Sequence, residues 1–261
     1  EDGIRYQPRS RGLGDVYKRQ PLKIALVTGA SRGIGRAIAV DFAKNGIIVV
    51  ATSRNEKRLI ELKKELETYA VEAHYISADI GITNGAERIY EYISQSGLGV
   101  NLLVNNAAII HPRVSLVDFE MSEWEEVVNV NLLGAVRLTK LLLPGMIDQG
   151  YGKIINISSI GGRKGASGRS AYRVTKAGLI SFTESLAAEV KRAGIDVNCI
   201  CPGSVLTEGY VEAFGEQYKV SGKMMDPSEI AELCTFLVGS SASAVTGAVI
   251  DAFGPSNPLF D

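Results

Sequence analysis

The feature that most constrains this chain is a regular alternation of short apolar runs with helical patterns. The runs are strand-sized and rich in β-branched residues, and amphipathic segments separate most of them. Strands that read as continuous apolar runs are buried on both faces, which is typical of a parallel sheet covered by helices. We therefore predict an α/β fold in one domain, a doubly wound Rossmann-type parallel sheet with helices on both faces. The predicted strands are 23–28, 47–52, 73–77, 102–105, 153–158, 196–201 and 248–251.

Composition agrees with one large domain and argues against several functions. The 261 residues are 46% hydrophobic and 22% charged, which suits a large core. A formal net charge of -1 gives no electrostatic reason to expect nucleic acid as a partner. No apolar run reaches the roughly 18 residues of a membrane span, so no membrane association is expected. Three cysteines form no disulfide framework, and with two histidines they form no metal site, so we predict a cytoplasmic protein without a metal.

The first twenty residues differ from the rest of the chain. They are rich in arginine and glycine and lack both a periodic apolar pattern and the apolar centre of a signal peptide. Residues 15–20 are what the DNA sequence GATGTGTATAAGAGACAG encodes, which resembles a transposase adapter used in sequencing libraries. We predict that 1–20 is a non-native or disordered extension and that the Rossmann-type domain occupies 21–261. A genuine basic arm is the alternative.

A glycine-rich turn between the first predicted strand and the first helix is a candidate phosphate site. It reads Thr28-Gly29-Ala30-Ser31-Arg32-Gly33-Ile34-Gly35. Glycines let backbone N–H groups approach a pyrophosphate, and the helix N-terminus adds a positive dipole end. The spacing differs from the common G-x-G-x-x-G, but the turn lies where a dinucleotide binds in this fold. A simple tight turn is the alternative.

Tyr172 and Lys176 are four residues apart at the start of a helical pattern, which places them on one helix face. A free tyrosine has a pKa of about 10, so it is a poor acid–base catalyst at neutral pH. A lysine charge about 5 Å away stabilises phenolate by ~3 kcal/mol at an effective dielectric of ~20, so we expect Lys176 to lower the pKa of Tyr172. Ser159 ends the preceding predicted strand and can donate a hydrogen bond to a substrate oxygen. A solvated helix face is the alternative for the Tyr/Lys pair alone.

The order of these motifs resembles the short-chain dehydrogenase/reductase family, in its single-domain branch of 3-oxoacyl-acyl-carrier-protein reductases and related alcohol or sugar dehydrogenases. The resemblance runs from about residue 22 to residue 247. Its signatures are the turn 28–35, Asp79-Ile80, Asn105-Asn106-Ala107-Ala108, Asn131, Ser159, Tyr172 with Lys176, and Pro202-Gly203 with Thr207. The chain departs from the family pattern at 222–227 and at 251–254, which leaves substrate and assembly open.

The resemblance implies a role for each motif residue. Tyr172 is the general acid/base, Lys176 holds the nicotinamide ribose, Ser159 positions the carbonyl, and Asn131 supports a water-linked proton relay, with Asn129 as the competing position. The implied cofactor-binding residues are Gly29, Ser31, Arg32, Gly33, Ile34, Gly35, Ser53, Arg54, Asp79, Ile80, Asn106, Ala107, Tyr172, Lys176, Pro202, Gly203, Val205 and Thr207. The reaction implied is hydride transfer between a nicotinamide and a small-molecule ketone or secondary alcohol.

The end of the second predicted strand favours NADP(H) over NAD(H). An NAD enzyme of this fold usually has an acidic residue there, which accepts hydrogen bonds from the ribose 2′-hydroxyl. This strand instead ends in Ser53 and Arg54, with no carboxylate before Glu56. Arg54 and Arg32 can each present paired donors to a 2′-phosphate. NAD(H) stays open as the alternative cofactor.

Two further functions remain open at this point. A catalytically silent dinucleotide-binding regulator would not need all of the proton-transfer residues, and a lyase or epimerase on this fold would show no net turnover of cofactor. Arg163, Lys164 and Arg169 could attract an anionic substrate or an acidic carrier protein, or could form a solvated loop. His111 is interpreted as a solvated loop residue, with contact to the substrate as the alternative. The segment 204–226 is interpreted as a lid. Two long helical patterns, with apolar residues on more than one face, predict a homo-oligomer, either a dimer or a tetramer.

Overall fold

A computed structural model of the chain describes residues 22–215 and 224–254. The predicted extension, 1–20, lies outside the described residues. The strands are β1 (Ile24–Thr28), β2 (Ile48–Ser53), β3 (Ala73–Ser77), β4 (Leu102–Asn105), β5 (Gly152–Ile157), β6 (Ile195–Pro202) and β7 (Val249–Ala252). The α-helices are α1 (Gly33–Lys44), α2 (Glu56–Glu67), α3 (Gly85–Gln95), α4 (Met121–Val128), α5 (Gly134–Gln149), α6 (Ser170–Val190), α7 (Glu208–Phe214) and α8 (Pro227–Val238).

All seven strands form one parallel sheet, in the order β3-β2-β1-β4-β5-β6-β7. The predicted Rossmann-type fold is therefore confirmed, and every predicted strand is present with its ends within one residue of the expected bounds. The chain winds outward from β1 to β3 and then returns to place β4 on the other side of β1. The carboxyl ends of β1 and β4 thus form a topological switch point, the usual location of a ligand in such sheets.

Two apolar layers hold the helices against the sheet. On one face, Phe42 of α1, Leu62 of α2 and Leu237 of α8 belong to one buried cluster. On the other face, Ile89 of α3, Leu138 of α5 and others form a second cluster. Burying one such side chain stabilises the fold by roughly 1.5–3 kcal/mol. The two layers fix the strand ends rigidly, and the loops that follow those ends build the site.

Two segments of the sequence have the spacing of a capping box, Ser122 with Glu125 and Asp226 with Glu229, and each predicts a helix start. Asp226 caps α8 as predicted, because its carboxylate accepts from the Ser228 N–H at 2.9 Å and Glu229 accepts from the Asp226 N–H at 2.7 Å. The prediction for Ser122 with Glu125 was wrong. Helix α4 begins at Met121, one residue before the predicted cap, and has no side-chain cap bond, so Ser122 already lies inside the helix.

Between α4 and α5 the chain forms one π-helical turn, Asn129–Leu133. Single π-turns inside helices are rare, and those that occur are often at functional sites. The continuous helical stretch Met121–Gln149 is long and apolar enough to cross a membrane by length and composition, but 44% of its most apolar window is buried inside the fold. A helix packed into a domain core passes the same test, so this stretch is weak evidence for a membrane span.

Candidate active site

A cleft of about 730 Å³ opens at the carboxyl ends of the strands, across the switch point between β1 and β4. It runs from the end of β2, past the glycine-rich turn, to the start of α6. All the predicted site residues line it except two, Gly35 and Asn131. Those that line it are Gly29, Ser31, Arg32, Gly33, Ile34, Ser53, Arg54, Asp79, Ile80, Asn106, Ala107, Ser159, Tyr172, Lys176, Pro202, Gly203, Val205 and Thr207.

The glycine-rich turn is locked to the loop after β4. The Thr28 hydroxyl accepts hydrogen bonds from the N–H groups of Asn106 and Ala107, at 2.9 and 3.0 Å. In return, the Asn106 amide donates to the Thr28 carbonyl at 2.9 Å. Gly29 has a φ of +65°, a conformation that favours glycine. The two loops approach so closely that a Cβ atom at Gly29 would come within 2.9 Å of the Ala107 Cα.

Gly35 lies beneath this junction and does not face the cleft. A Cβ atom there would come within 2.4 Å of both the Gly29 carbonyl oxygen and the Asn106 amide nitrogen. Gly35 therefore permits the close approach of α1 to the turn, while the residues above it line the cleft. Glycines in a turn at the N-terminal end of a helix leave backbone N–H groups accessible, and such a turn fits a pyrophosphate.

Three arginines surround the end of β2. Arg54 lies 3.9 Å from the Asp79 carboxylate and 3.8 Å from that of Glu126. Arg32 pairs with Glu212 at 2.5 Å, and Arg58 pairs with Glu208 at 2.6 Å. Both glutamates belong to α7.

Arg58 was not singled out in the sequence. It is near the start of α2, and it lines the cleft beside Ser53 and Asn55. The signal that could have found it is its position one helical turn beyond the end of β2.

The catalytic end of the cleft brings Tyr172, Ser159 and Lys176 together. The Ser159 hydroxyl forms a hydrogen bond with Tyr172 and accepts another from the Gly161 N–H at 3.0 Å. Lys176 Nζ lies 5.7 Å from the centroid of the Tyr172 ring and donates to the Ile157 carbonyl at 2.7 Å. The adjacent Ser158 hydroxyl donates to the Lys176 carbonyl at 2.7 Å, which ties the end of β5 to α6.

The net shift of the Tyr172 pKa is opposite to the expected one. Burial raises the pKa of Tyr172 and outweighs the opposing effects, which come from the Ser159 hydrogen bond and the charges of Arg169 and Arg173. Burial also lowers the pKa of Lys176 to about 8. The expected shift included only the attraction between the two side chains. The loss of solvent around both of them also changes their pKa values, and here it is the larger effect. At neutral pH the phenol is therefore protonated.

Asn131 lies behind the cleft on the π-turn and is buried. Its side-chain oxygen accepts from the Ile109 N–H at 2.7 Å, and its amide donates to the Ile109 carbonyl at 3.1 Å and to the Thr175 hydroxyl at 3.3 Å. It thus joins the π-turn to the loop after β4 and to α6. The competing position, Asn129, instead accepts from Arg137 at 3.5 Å.

His111 is buried, so the interpretation of a solvated loop residue was wrong. Its Nε2 accepts from the Tyr172 backbone N–H at 3.4 Å, and its ring lies 4.8 Å from that of Phe119. Its Nδ1, 2.6 Å from the Pro112 carbonyl, is then the protonated nitrogen. Burial lowers its pKa, which keeps this neutral form. His111 thereby fixes the loop after β4 against the start of α6.

The described part of the predicted lid contributes two aromatic residues, Tyr210 and Phe214 of α7, to the cleft. Met225 is buried, and Val205 pairs with it through an isolated β-bridge. Residues 216–223 of the predicted lid lie outside the described residues.

Comparisons with known proteins agree on one family. The family model described as short chain dehydrogenase matches residues 23–217. The 3-oxoacyl-[acyl-carrier-protein] reductase FabG of Aquifex aeolicus is 38% identical over 240 residues, which cover 89% of this chain and 96% of that protein. L-sorbose reductase from Gluconobacter frateurii, solved with NADPH and L-sorbose, has a TM-score of 0.83 and 31% identity, covering 89% of this chain and 95% of that one. Actinorhodin polyketide ketoreductase, solved with NADPH, has a TM-score of 0.82 and 33% identity, covering 89% and 96%.

The bare turn leads to a first prediction. Gly35→Ala is expected to weaken dinucleotide binding at least tenfold, because the new methyl group forces the turn away from Asn106. Isothermal titration measures the affinity, and thermal melting checks the fold. Gly145→Ala is the matched control, since a Cβ there meets nothing within 4 Å and alanine favours a helix. Unchanged affinity in a folded Gly35→Ala protein would contradict this account of the turn.

Proposed function

Because this chain belongs to the short-chain dehydrogenase/reductase family and is an oxidoreductase of that family, we propose that it uses NADPH to reduce a small-molecule ketone to a secondary alcohol, with Tyr172 as the general acid. The observation that carries the proposal is the grouping of Tyr172 with Ser159 and Lys176 in the cleft, at the opposite end from the arginines around β2. A protonated phenol is the form that donates to a carbonyl oxygen during reduction.

The other catalytic residues prepare that proton transfer. Ser159 holds the phenol through its hydroxyl and is placed to donate to the same substrate oxygen. Lys176, with a pKa of about 8, still carries its positive charge at neutral pH and favours the phenolate that remains after the proton has left. Asn131 keeps the π-turn next to α6, where the resemblance assigns it to a proton relay.

The residues of the cleft fit a dinucleotide. The bare turn, from Gly29 to Ile34, would hold the pyrophosphate. Asp79 and Ile80 would face the adenine, and Asn106 and Ala107 the middle of the molecule. Lys176 would bind the nicotinamide ribose. Pro202, the last residue of β6, and the residues that follow it (Gly203, Val205 and Thr207) would lie along the nicotinamide. When bound, the cofactor supplies the hydride.

A comparison of interaction free energies at the arginines favours NADP(H) over NAD(H). The pairs Arg32–Glu212 and Arg58–Glu208 are largely exposed, and exposed ion pairs contribute about 0–1 kcal/mol. A charge-assisted hydrogen bond to a phosphate contributes about 1.5–3 kcal/mol. The arginines therefore lose less by leaving the glutamates than they gain from a 2′-phosphate.

The proposed proton transfer predicts that Tyr172→Phe lowers the turnover number at least ~100-fold, the usual size of general acid–base catalysis. Cofactor affinity is expected to persist because the phenol contributes mainly the proton. Oxidation of NADPH with a panel of ketones measures turnover, and fluorescence titration measures affinity. Tyr69→Phe, on the protein surface, is the matched control. Activity within a few-fold of the parent would remove Tyr172 from its role.

The arginines predict a cofactor preference. The parent is expected to have a higher kcat/KM with NADPH than with NADH, by about a hundredfold from two charge-assisted bonds at ~1.4 kcal/mol per factor of ten. Arg54→Ala combined with Arg32→Ala should remove most of that preference by weakening NADPH alone. Arg192→Ala is the control, because Arg192 is exposed and does not line the cleft. A parent that prefers NADH would show that NAD(H) is the cofactor.

We also propose a homo-oligomer, a dimer or a tetramer, and a cytoplasmic location remains a prediction. Leu133, Ile147 and Val174 are apolar residues of the helical segments 129–149 and 170–190, and they expose 38%, 45% and 52% of their surface. A second copy packed on these helices would cover them. Static light scattering at micromolar concentration is expected to give a multiple of 28.0 kDa, and a monomeric mass would reject the proposal.

A further inference from the structure

A buried arginine lies next to the proposed proton donor. The Arg169 side chain lines the cleft although only 7% of the residue is exposed. Its guanidinium carbon is 5.0 Å from the centroid of the Tyr172 ring and 4.8 Å from that of Phe214. One guanidinium nitrogen donates to the His111 carbonyl, which orients the group. Among the residues that the structure describes, no carboxylate pairs with Arg169.

Two more arginines line the same part of the cleft. Arg113 follows His111 along the loop after β4, and Arg173 follows Tyr172 in α6. Neither has a carboxylate partner within 22–215 or 224–254. Burial lowers the pKa of Arg169 and Arg173, and the charges of neighbouring arginines lower both further.

The charges of the cleft are therefore divided between its ends. Its acidic lining residues, Asp79 and Glu212, are both close to arginines at the cofactor end. At the substrate end, no carboxylate of the described residues is within ion-pair distance of the three guanidinium groups, and among these three only that of Arg169 is buried. An uncompensated buried charge is costly, and the cost falls when an anion pairs with it. A guanidinium is particularly suited to a carboxylate, because its paired donors match the two oxygens.

We propose, on the basis of the function proposed above, that the substrate is a short oxo acid whose carboxylate binds Arg169 while its ketone oxygen faces Tyr172. The short distance between guanidinium and phenol ring limits the separation of the two groups in the substrate. A 2-oxo or 3-oxo acid meets that limit. A thioester or ester of the same acid has no negative charge to pair with Arg169, so it would bind less tightly.

The test compares each acid with its own neutral ester. The kcat/KM for NADPH-dependent reduction is measured with 2-oxobutanoate, 3-oxobutanoate and the methyl ester of each, using the parent, Arg169→Met and Arg163→Met. Methionine keeps much of the arginine volume and removes its charge. Arg163 is the matched control, because it pairs with Asp251 at 3.1 Å and does not line the cleft.

The parent is expected to prefer at least one acid over its ester by tenfold or more. Arg169→Met should lower kcat/KM for that acid at least tenfold and change kcat/KM for the ester less than threefold, while Arg163→Met changes neither. A parent that prefers both esters overturns the inference. An equal loss for acid and ester in Arg169→Met also overturns it, because that result assigns Arg169 to supporting Tyr172 or the fold.

A binding measurement separates this inference from the proposed function. Calorimetry of the NADP⁺-loaded parent with 2-hydroxybutanoate and with 3-hydroxybutanoate is expected to show binding of at least one anion that Arg169→Met loses. If the parent reduces other ketones but neither binds nor reduces these acids, the proposed function stands and the inference fails. If no ketone is reduced, the proposed function fails, and the anion titration still decides whether Arg169 binds a carboxylate.

Discussion

The junction of the loops after β1 and β4 is the constraint on which the rest of the site depends. One hydroxyl, that of Thr28, accepts from two consecutive N–H groups of the β4 loop and donates to the Val104 carbonyl at 3.2 Å. The bond to Val104 is buried and the other two are partly buried. Loss of a buried hydrogen bond costs about 1–3 kcal/mol. Because the β4 loop continues to Ile109 and His111, the same junction fixes the residues that hold Asn131 and the start of α6. The cofactor end and the catalytic end of the cleft are thus parts of one connected framework.

Much of this framework could be predicted from the sequence. Strand positions follow from apolar runs whose burial on both faces leaves little freedom, and the motifs at their carboxyl ends come together because parallel strands end on one edge. Two of the predicted site residues, Gly35 and Asn131, do not line the cleft. Gly35 and Asn131 act by packing and by hydrogen bonds to backbone groups, and the geometry of such contacts depends on loops far away in the chain.

The expectations that were wrong share a physical cause. The local sequence pattern does not predict whether distant parts of the chain will bury a side chain. His111 is in a polar segment that looks solvated, yet Phe119 and the backbone of Tyr172 enclose it. The pKa of Tyr172 was argued from one neighbouring charge, whereas the loss of solvent around the ring is the larger effect. For Arg169, Arg163 and Lys164 together, the sequence left open both attraction of an anionic partner and a solvated loop. Arg163 and Lys164 occupy the same loop as Arg169, but only Arg169 reaches the cleft. The local sequence does not predict the burial of His111, Tyr172 and Arg169, because it depends on which tertiary neighbour displaces water.

The two ends of the cleft deal with positive charge in different ways, and the difference follows from exposure. At the cofactor end, water screens the arginines, and glutamates of α7 neutralise two of them at little energetic cost. A phosphate can replace those glutamates without leaving a buried charge behind. At the catalytic end, Lys176 and Arg169 are almost completely buried, and backbone carbonyls rather than carboxylates accept their hydrogen bonds. A carboxylate on the protein beside Arg169 would neutralise its charge but would also repel the phenolate formed at Tyr172. Because no carboxylate of residues 22–215 or 224–254 pairs with Arg169, its positive charge stays available both to the phenolate and to an anionic group of the substrate.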